Sequence, residues 1–251
     1  MLMDDMKPAA ASKRKTPGPK GGAGVARPAN SLVGRTLATD VLHRLRGDII
    51  AGTLAPGAKL RFEALRAVYH VSFSTLREGL SRLASEGLVI ADGQRGFVVA
   101  PVSIKELTDV TNARVLVERE VMRLAVTNGN EAWRARVMIA FQRMDQLPEQ
   151  RLVSPDWALA HARFHAELAS QCGSRILLEI RANLFDHAHR YRRLAAMHRT
   201  QERSIPGEHR EIMEAALAGQ VELACDLMEQ HIRRTSDDAA PVTISLAGSA
   251  A

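Results

Sequence analysis

One change of rhythm constrains this chain more than any other feature. Between Thr36 and Ser103 the apolar residues follow helical spacing three times, then contract into two short runs about a turn. Beyond Pro101 helical spacing returns, and no strand-like pattern interrupts it to about residue 237. The first helix carries Leu37, Val41, Leu42, Leu45, Ile49 and Ile50, with Gly52 as its stop and Pro56-Gly57 as a turn. A short helix over Phe62–Tyr69 comes next. A third, opened by Ser72 or Ser74, sets Leu76, Leu80 and Leu83 on one stripe and ends before Gly87. Leu88-Val89-Ile90 and Gly96-Phe97-Val98-Val99 flank Asp92-Gly93 and read as a hairpin. Further helices are expected near 103–128, 131–146, 155–171, 174–198, 207–219 and 221–236. Their breaks fall at Asn128-Gly129-Asn130, Pro148, Cys172-Gly173, Pro206-Gly207 and Gly219. The expected fold class is mainly α: an N-terminal winged helix-turn-helix followed by an all-α bundle of about six helices.

The flanks read differently. Residues 1–34 are rich in Ala, Pro, Gly and Lys, and are expected to form a disordered basic arm, because they cannot bury enough surface to offset chain entropy. Such an arm either adds non-specific attraction to phosphates or is a solvated extension. The expected organisation is that arm, a winged module over 35–102, a helical bundle over 103–238 and a flexible tail of small residues over 239–251. A length of 251 residues allows one or two domains with real cores. Cys172 and Cys225 cannot frame a disulfide scaffold, and the charged start MLMDDMKPAA is no secretory leader. No apolar run approaches the ~18 residues of a membrane span. Secreted, collagenous and membrane classes are excluded on this reading, and a cytoplasmic location is expected. The formal charge of +6 points only weakly to nucleic acid, because of where it lies. Seven basic and two acidic residues fall in 1–35, eight and six in 36–100, nineteen and twenty beyond.

Three helices and a hairpin within so short a stretch suit duplex DNA, since the major groove admits a helix and displays distinguishable base edges. With its leucines inward, the third helix can present Ser72, Phe73, Ser74, Thr75 and Arg77, and the turn can present Arg95. Hydroxyls and a helix N-terminus suit phosphates, and an Arg suits guanine or phosphate. Pattern alone also allows a small module that binds a protein partner. The stretch Pro56-Gly57-Ala58-Lys59-Leu60, then VSFSTLREGLSRLASEGLV (Val71–Val89) and RGFVVAPVS (Arg95–Ser103), resembles the GntR superfamily of bacterial transcription regulators. The resemblance covers residues 36–103 and implies operator binding by a homodimer. It assigns Ser72, Ser74 and Arg77 to DNA contacts and Gly96 to the wing tip. The chain departs from the common pattern at three positions: His70 replaces a Gly, Phe73 an Arg, and Glu63 stands where many members carry a phosphate-binding Arg. Losing two cations is expected to weaken backbone anchoring and change base readout.

The bundle carries histidines. His161 and His165 are four apart on one helix face, the spacing two imidazoles need to share a metal ion. His209 and His231 lie on the last two helices, where antiparallel packing can bring both toward the centre. Imidazoles suit Zn, Ni, Cu or Fe(II); on the residues alone structural or surface roles are the commoner reading, since His187 and His189 show that histidine is not rare here. Glu208 adjoins His209 but is expected to point elsewhere. Arg114 and Glu118 form an i, i+4 pair that reads as a surface salt bridge, and the run His189–Arg193 reads first as a solvated face and second as a candidate for gripping a carboxylate. The order ARFHAEL (Ala162–Leu168), EHREIMEAALAG (Glu208–Gly219) and LMEQHI (Leu227–Ile232), after ARVLVE (Ala113–Glu118), resembles the FCD ligand-binding domain of the FadR-type branch. The resemblance implies a divalent transition metal, Zn or Ni, at His165, His209 and His231, with His161 where many members have Asp. It also implies a small carboxylate effector, with Arg114 at a pocket Arg. The DHAHRYRRL segment is most similar to CsiR-type repressors of dicarboxylate catabolism. Four neutral imidazoles leave a dication uncompensated and favour an anionic ligand.

The function expected is a ligand-responsive, DNA-binding regulator, a repressor of a catabolic operon, and not an enzyme. Two other classes stay open on the residues alone. One is a helical metalloenzyme with an accessory winged module, against which stands the lack of HExxH, of a placed general base and of a cofactor loop. The other is a nucleoid-type or partner-binding protein whose bundle only dimerises.

Overall fold

A computed structural model describes residues 30–93, 96–147, 154–197 and 204–248. Three helices build the N-terminal module, α1 (Asn30–Ile50), α2 (Phe62–Tyr69) and α3 (Phe73–Ser85). Val41, Leu42, Leu45 and Ile49 of α1 close a core with Leu65, Leu76, Leu80 and Leu83. The strands β1 (Lys59–Leu60), β2 (Val89–Ala91) and β3 (Phe97–Val99) form an antiparallel sheet in the order β1-β3-β2. The hairpin β2–β3 follows the sequence pattern; β1 does not, because two residues after a turn carry no alternation to read.

The turns are specified locally. Gly87 has φ +79°, its N–H bonds the Ala84 carbonyl at 3.1 Å and the Leu88 N–H bonds the Leu83 carbonyl at 3.0 Å, a Schellman stop for α3. His70, between α2 and α3, adopts the left-handed conformation with φ +55°. That conformation is why glycine suits the position, and a histidine there costs about 1–2 kcal/mol of backbone strain.

Six helices follow: α4 (Ile104–Thr127), α5 (Glu131–Asp145), α6 (Pro155–Ala169), α7 (Arg175–Met197), α8 (Ile205–Leu217) and α9 (Val221–Gly248). Ser103, Asn130, Ser154 and Ser204 each accept a first-turn backbone N–H through the side chain, so polar caps fix the starts. Trp133, Val137, Phe141, Phe164, Leu168, Ile212 and Met228 fill the core.

Three expectations are corrected. The expected arm to residue 34 overlaps α1, whose backbone is helical from Asn30; residues 1–29 of that arm lie outside the described residues. Pro206-Gly207 does not break a helix but sits in the first turn of α8, where Ser204 Oγ accepts the Gly207 N–H and Pro has no N–H to lose. The tail expected to be flexible from 239 is helical to Gly248. Ala239 packs with Val102, Leu107, Tyr191 and Ala195, and buried Thr243 donates to the Ala239 carbonyl, so burial carries α9 past Pro241.

Candidate functional site

Two polar surfaces stand out, one outside and one inside. The outer one is the start of α3. Ser72 caps it, its Oγ accepting the Thr75 N–H at 3.2 Å and lying 2.9 Å from both Ser74 Oγ and Thr75 Oγ1. Ser72, Phe73, Ser74 and Arg77 are exposed and Thr75 half-buried, while Leu76, Gly79, Leu80 and Leu83 turn inward. Hydroxyls, a positive helix end and a guanidinium thus share one open face, as phosphate and base contacts require. Gly96, with φ +100°, turns the wing, its carbonyl accepting the Asp92 N–H at 2.8 Å. Arg95 lies outside the described residues.

The inner surface is at the heart of the bundle. His161 and His165 come from α6, His209 from α8 and His231 from α9, and one ring nitrogen of each lies within 4.8 Å of the others. The spacing argument is met: all four are buried, and His165 Nε2 is 3.2 Å from His209 Nε2. Both nitrogens of His161 are buried without a hydrogen-bond partner, an arrangement that costs about 1–3 kcal/mol per group unless something occupies the centre. Burial first, and then the neighbouring histidines, push the pKa values of His161, His165 and His209 well below the ordinary range. All three present lone pairs at neutral pH, the form a metal ligand needs. Four neutral imidazoles offering one nitrogen each within 4.8 Å of one another are a donor set that would hold one divalent transition cation.

Glu208 has a role that sequence reasoning did not assign. Its helix position turns it away from His209, but toward α9, where Oε2 accepts from His231 Nδ1 at 2.8 Å and Oε1 from Arg234 at 3.2 Å. A carboxylate on Nδ1 fixes the tautomer and leaves Nε2 for a cation.

Three arginines surround the histidines. Arg114 Nε is 3.4 Å from Glu118 Oε1, and Arg181 Nε donates to Glu118 Oε2 at 2.8 Å; all three residues are buried, so the expected surface salt bridge is a core triad. The guanidinium groups of Arg114 and Arg181 lie over the Phe185 ring at 5.1 and 5.5 Å. Arg192 lies 4.9 Å over Trp157 and donates to His189, whose ring stacks on His161. Burial, then Arg193 and Arg114, lower the Arg192 pKa to about 9, so it stays charged at neutral pH. The run His189–Arg193, expected in solvent, is therefore largely inside: Arg190 and Tyr191 are buried, and the guanidinium stems pack along apolar neighbours. Arg114, Arg181 and Arg192 each keep a buried nitrogen without a hydrogen-bond partner. Between α4, α7 and α9 a cavity of about 10 Å³, lined by Thr111, Arg114, Tyr191, Arg192 and Ser236, has room for one water.

The opposite face of α7 grips the N-terminal module. Arg46 of α1 bonds Asp186 at 3.1 Å and Glu86 at 2.5 Å. His187 Nε2 is 2.7 Å from the Glu86 carbonyl, Asn183 donates to the same carbonyl at 3.3 Å, and Arg193 donates to the Ala51 carbonyl at 2.6 Å. A Cβ on Gly87 would stand 3.1 Å from His187 Cε1, so the two modules meet at a glycine-sized gap. His187 Nδ1 faces Glu106 at 3.2 Å; burial opposes its charge, but the Glu106 and Glu86 hydrogen bonds outweigh it and raise the pKa.

Comparison with known proteins adds the following. Residues 37–99 match the model of the bacterial regulatory proteins of the gntR family, and residues 109–234 match the FCD domain. The HTH-type transcriptional regulator BphR of Paraburkholderia xenovorans is 37% identical over 203 residues, 79% of this chain and 83% of that one. The HTH-type transcriptional repressor GlaR of Escherichia coli is 33% identical over 195 residues, 75% of this chain and 89% of that one. The solved structure of E. coli McbR/YncC superposes with a TM-score of 0.69 at 20% identity, covering 79% of this chain and 94% of that one, which supports the fold. No described helix is long and apolar enough to cross a membrane.

Proposed function

The chain belongs to the GntR family of bacterial regulatory proteins and carries an FCD domain; it is a transcription regulator, not an enzyme, and on that footing we propose how it senses and what it grips. The bundle binds a divalent transition metal, Zn or Ni, through His161, His165, His209 and His231, and a small carboxylate beside it. When bound, the metal supplies a Lewis-acidic positive charge with an open position for a carboxylate oxygen. One observation carries this reading: four imidazoles are buried together, His161 with neither ring nitrogen hydrogen-bonded, among Arg114, Arg181 and Arg192, with Glu118 the carboxylate paired to two of these. A dication added to that surplus of positive charge calls for an anion. Arg114 and Arg192, which reach the same small cavity, are the residues that clamp it.

That cavity is too small for any dicarboxylate, so entry of the effector displaces α7 or α9. Displacement of α7 reaches the N-terminal module directly through Asp186, His187 and Arg193. Ligand binding thereby shifts the orientation of the head, and operator affinity must change the effector's affinity by the same factor. We read the chain as a cytoplasmic homodimer that represses a catabolic operon, its two recognition helices on symmetric half-sites. Ser72, Phe73, Ser74, Thr75, Arg77, Arg95 and Gly96 form the DNA surface.

Elemental analysis of the purified full-length protein tests the metal, with about one ion per chain expected and none in the His165→Ala/His209→Ala variant. A thermal-shift screen of small carboxylates on the metal-loaded protein tests the effector: an acid at 100 times its dissociation constant stabilises by about 2.7 kcal/mol. A chain that takes up no metal and responds to no acid would refute the sensor.

A further inference from the structure

The first residue of the recognition helix is apolar and half in water. Phe73 is 45% exposed, flanked by the exposed hydroxyls of Ser72 and Ser74. An aromatic ring left in solvent forgoes the hydrophobic stabilisation that Leu76 and Leu80, fully buried on the same helix, obtain. The ring is nevertheless held in place. It stacks on Phe62, the first residue of α2, with centroids 5.3 Å apart and 23° between the planes. Phe62 in turn meets Phe97 of β3 edge-on at 6.1 Å, and the Arg66 guanidinium lies 4.9 Å over the Phe73 ring. Three aromatic side chains thus tie the start of α3 to α2 and to the wing. The exposed part of Phe73 is presented at a fixed position, with little rotamer freedom left to lose on binding.

A preorganised apolar surface among hydrogen-bonding groups needs an apolar target. Among the features that base edges display in the major groove, the thymine C5-methyl group is the apolar one, and phenylalanine is one of the side chains suited to it. We propose that Phe73 determines specificity by reading the methyl group of one thymine in each half-site. This rests on α3 being the helix that enters the major groove. It goes further in naming a base, an atom on that base and the side chain that senses it. Ser72 and Ser74, on either side, are left for phosphate or sugar oxygens, which position the helix without reading sequence.

The test uses the full-length protein and a consensus duplex selected from a random library at moderate salt. Each thymine of one half-site is replaced in turn by deoxyuridine, which keeps the base pair and removes only the methyl group. The wild-type chain is expected to bind about four-fold more weakly at one such position and to tolerate the others, the effect of one buried methyl group. Phe73→Ala binds more weakly overall and becomes indifferent to that methyl. Phe73→Arg, offered the same library, selects guanine there through O6 and N7. A wild-type chain indifferent to every thymine-to-uracil change overturns the proposal, and that scan needs no variant to fold. So does a Phe73→Ala protein that keeps the wild-type methyl sensitivity. A chain that selects no sequence at all refutes the DNA surface itself, a result distinct from binding without methyl sensitivity.

Discussion

The two modules treat polarity in opposite ways. The head encloses Leu45, Leu76, Leu80 and Leu83 completely and sets its hydroxyls and cations on the outside. The bundle encloses Trp133, Phe164 and Ile212 just as fully, yet holds four histidines and several arginines at its heart. An apolar core holds a shape, and a buried polar group without a partner costs stability. The contrast supports the proposed division of labour, in which the head binds outward through the face it leaves exposed and the bundle inward around its buried polar centre.

The largest effect expected is in the bundle. Glu118→Ala removes the carboxylate shared by Arg114 and Arg181 and leaves two buried cations uncompensated, a loss of about 3–5 kcal/mol by urea denaturation. Leu80→Ala opens a cavity in the head and costs about 2–5 kcal/mol. It should abolish operator binding while metal uptake is unchanged. If the two variants unfold the same module, the contrast is wrong.

Exchanging a binding group for an apolar one sharpens the contrast. His161→Leu should make the metal-free protein more stable by about 1 kcal/mol, because two unpartnered buried nitrogens disappear and no hydrogen bond is broken. The same variant should lose most of the stabilisation by added Zn or Ni in a thermal melt. A comparable gain, about 1 kcal/mol, is expected from His70→Gly, which relieves the left-handed turn between α2 and α3 and is read by the head's melting point.

Much of this contrast was legible in the residues. Leucines at helical spacing, a Gly-containing hairpin turn and the breaks at Asn128-Gly129-Asn130, Cys172-Gly173 and Gly219 gave the architecture, and His161 and His165 at i, i+4 gave the centre. What escaped was tertiary. Arg114, Glu118 and the run His189–Arg193 look like solvent-facing charges, and only the packing of α4 against α7 shows that they face inward. Glu208 lies far around its helix from His209, so its service to His231 depends on where α9 sits. Small residues after Asp238 look like a tail until Ala239 and Thr243, four apart, are seen on a buried face. Beside Phe73, the aromatic partners Phe62 and Phe97 are distant in sequence and give no periodic signal.

The smallest effect expected lies between the modules. His187 is held by Glu106 and the Glu86 carbonyl, with Arg190 opposing its charge, and its pKa is raised above the ordinary value. Its contribution is complete below the unfolded value of about 6.5 and is lost as pH rises through the higher folded one. Hydrogen exchange in the Glu86–Leu88 segment should therefore accelerate on going from pH 6 to alkaline pH beyond the intrinsic rise, and His187→Gln should remove that excess.

The most direct measurement is operator affinity of the metal-loaded full-length protein, with and without the carboxylate that stabilises it, in wild type and in Gly87→Ala. The acid is expected to shift wild-type affinity several-fold, and the added methyl, strained at φ +79° and set 3.1 Å from His187, to remove most of that response while acid binding persists. An undiminished response in Gly87→Ala would contradict transmission through α7.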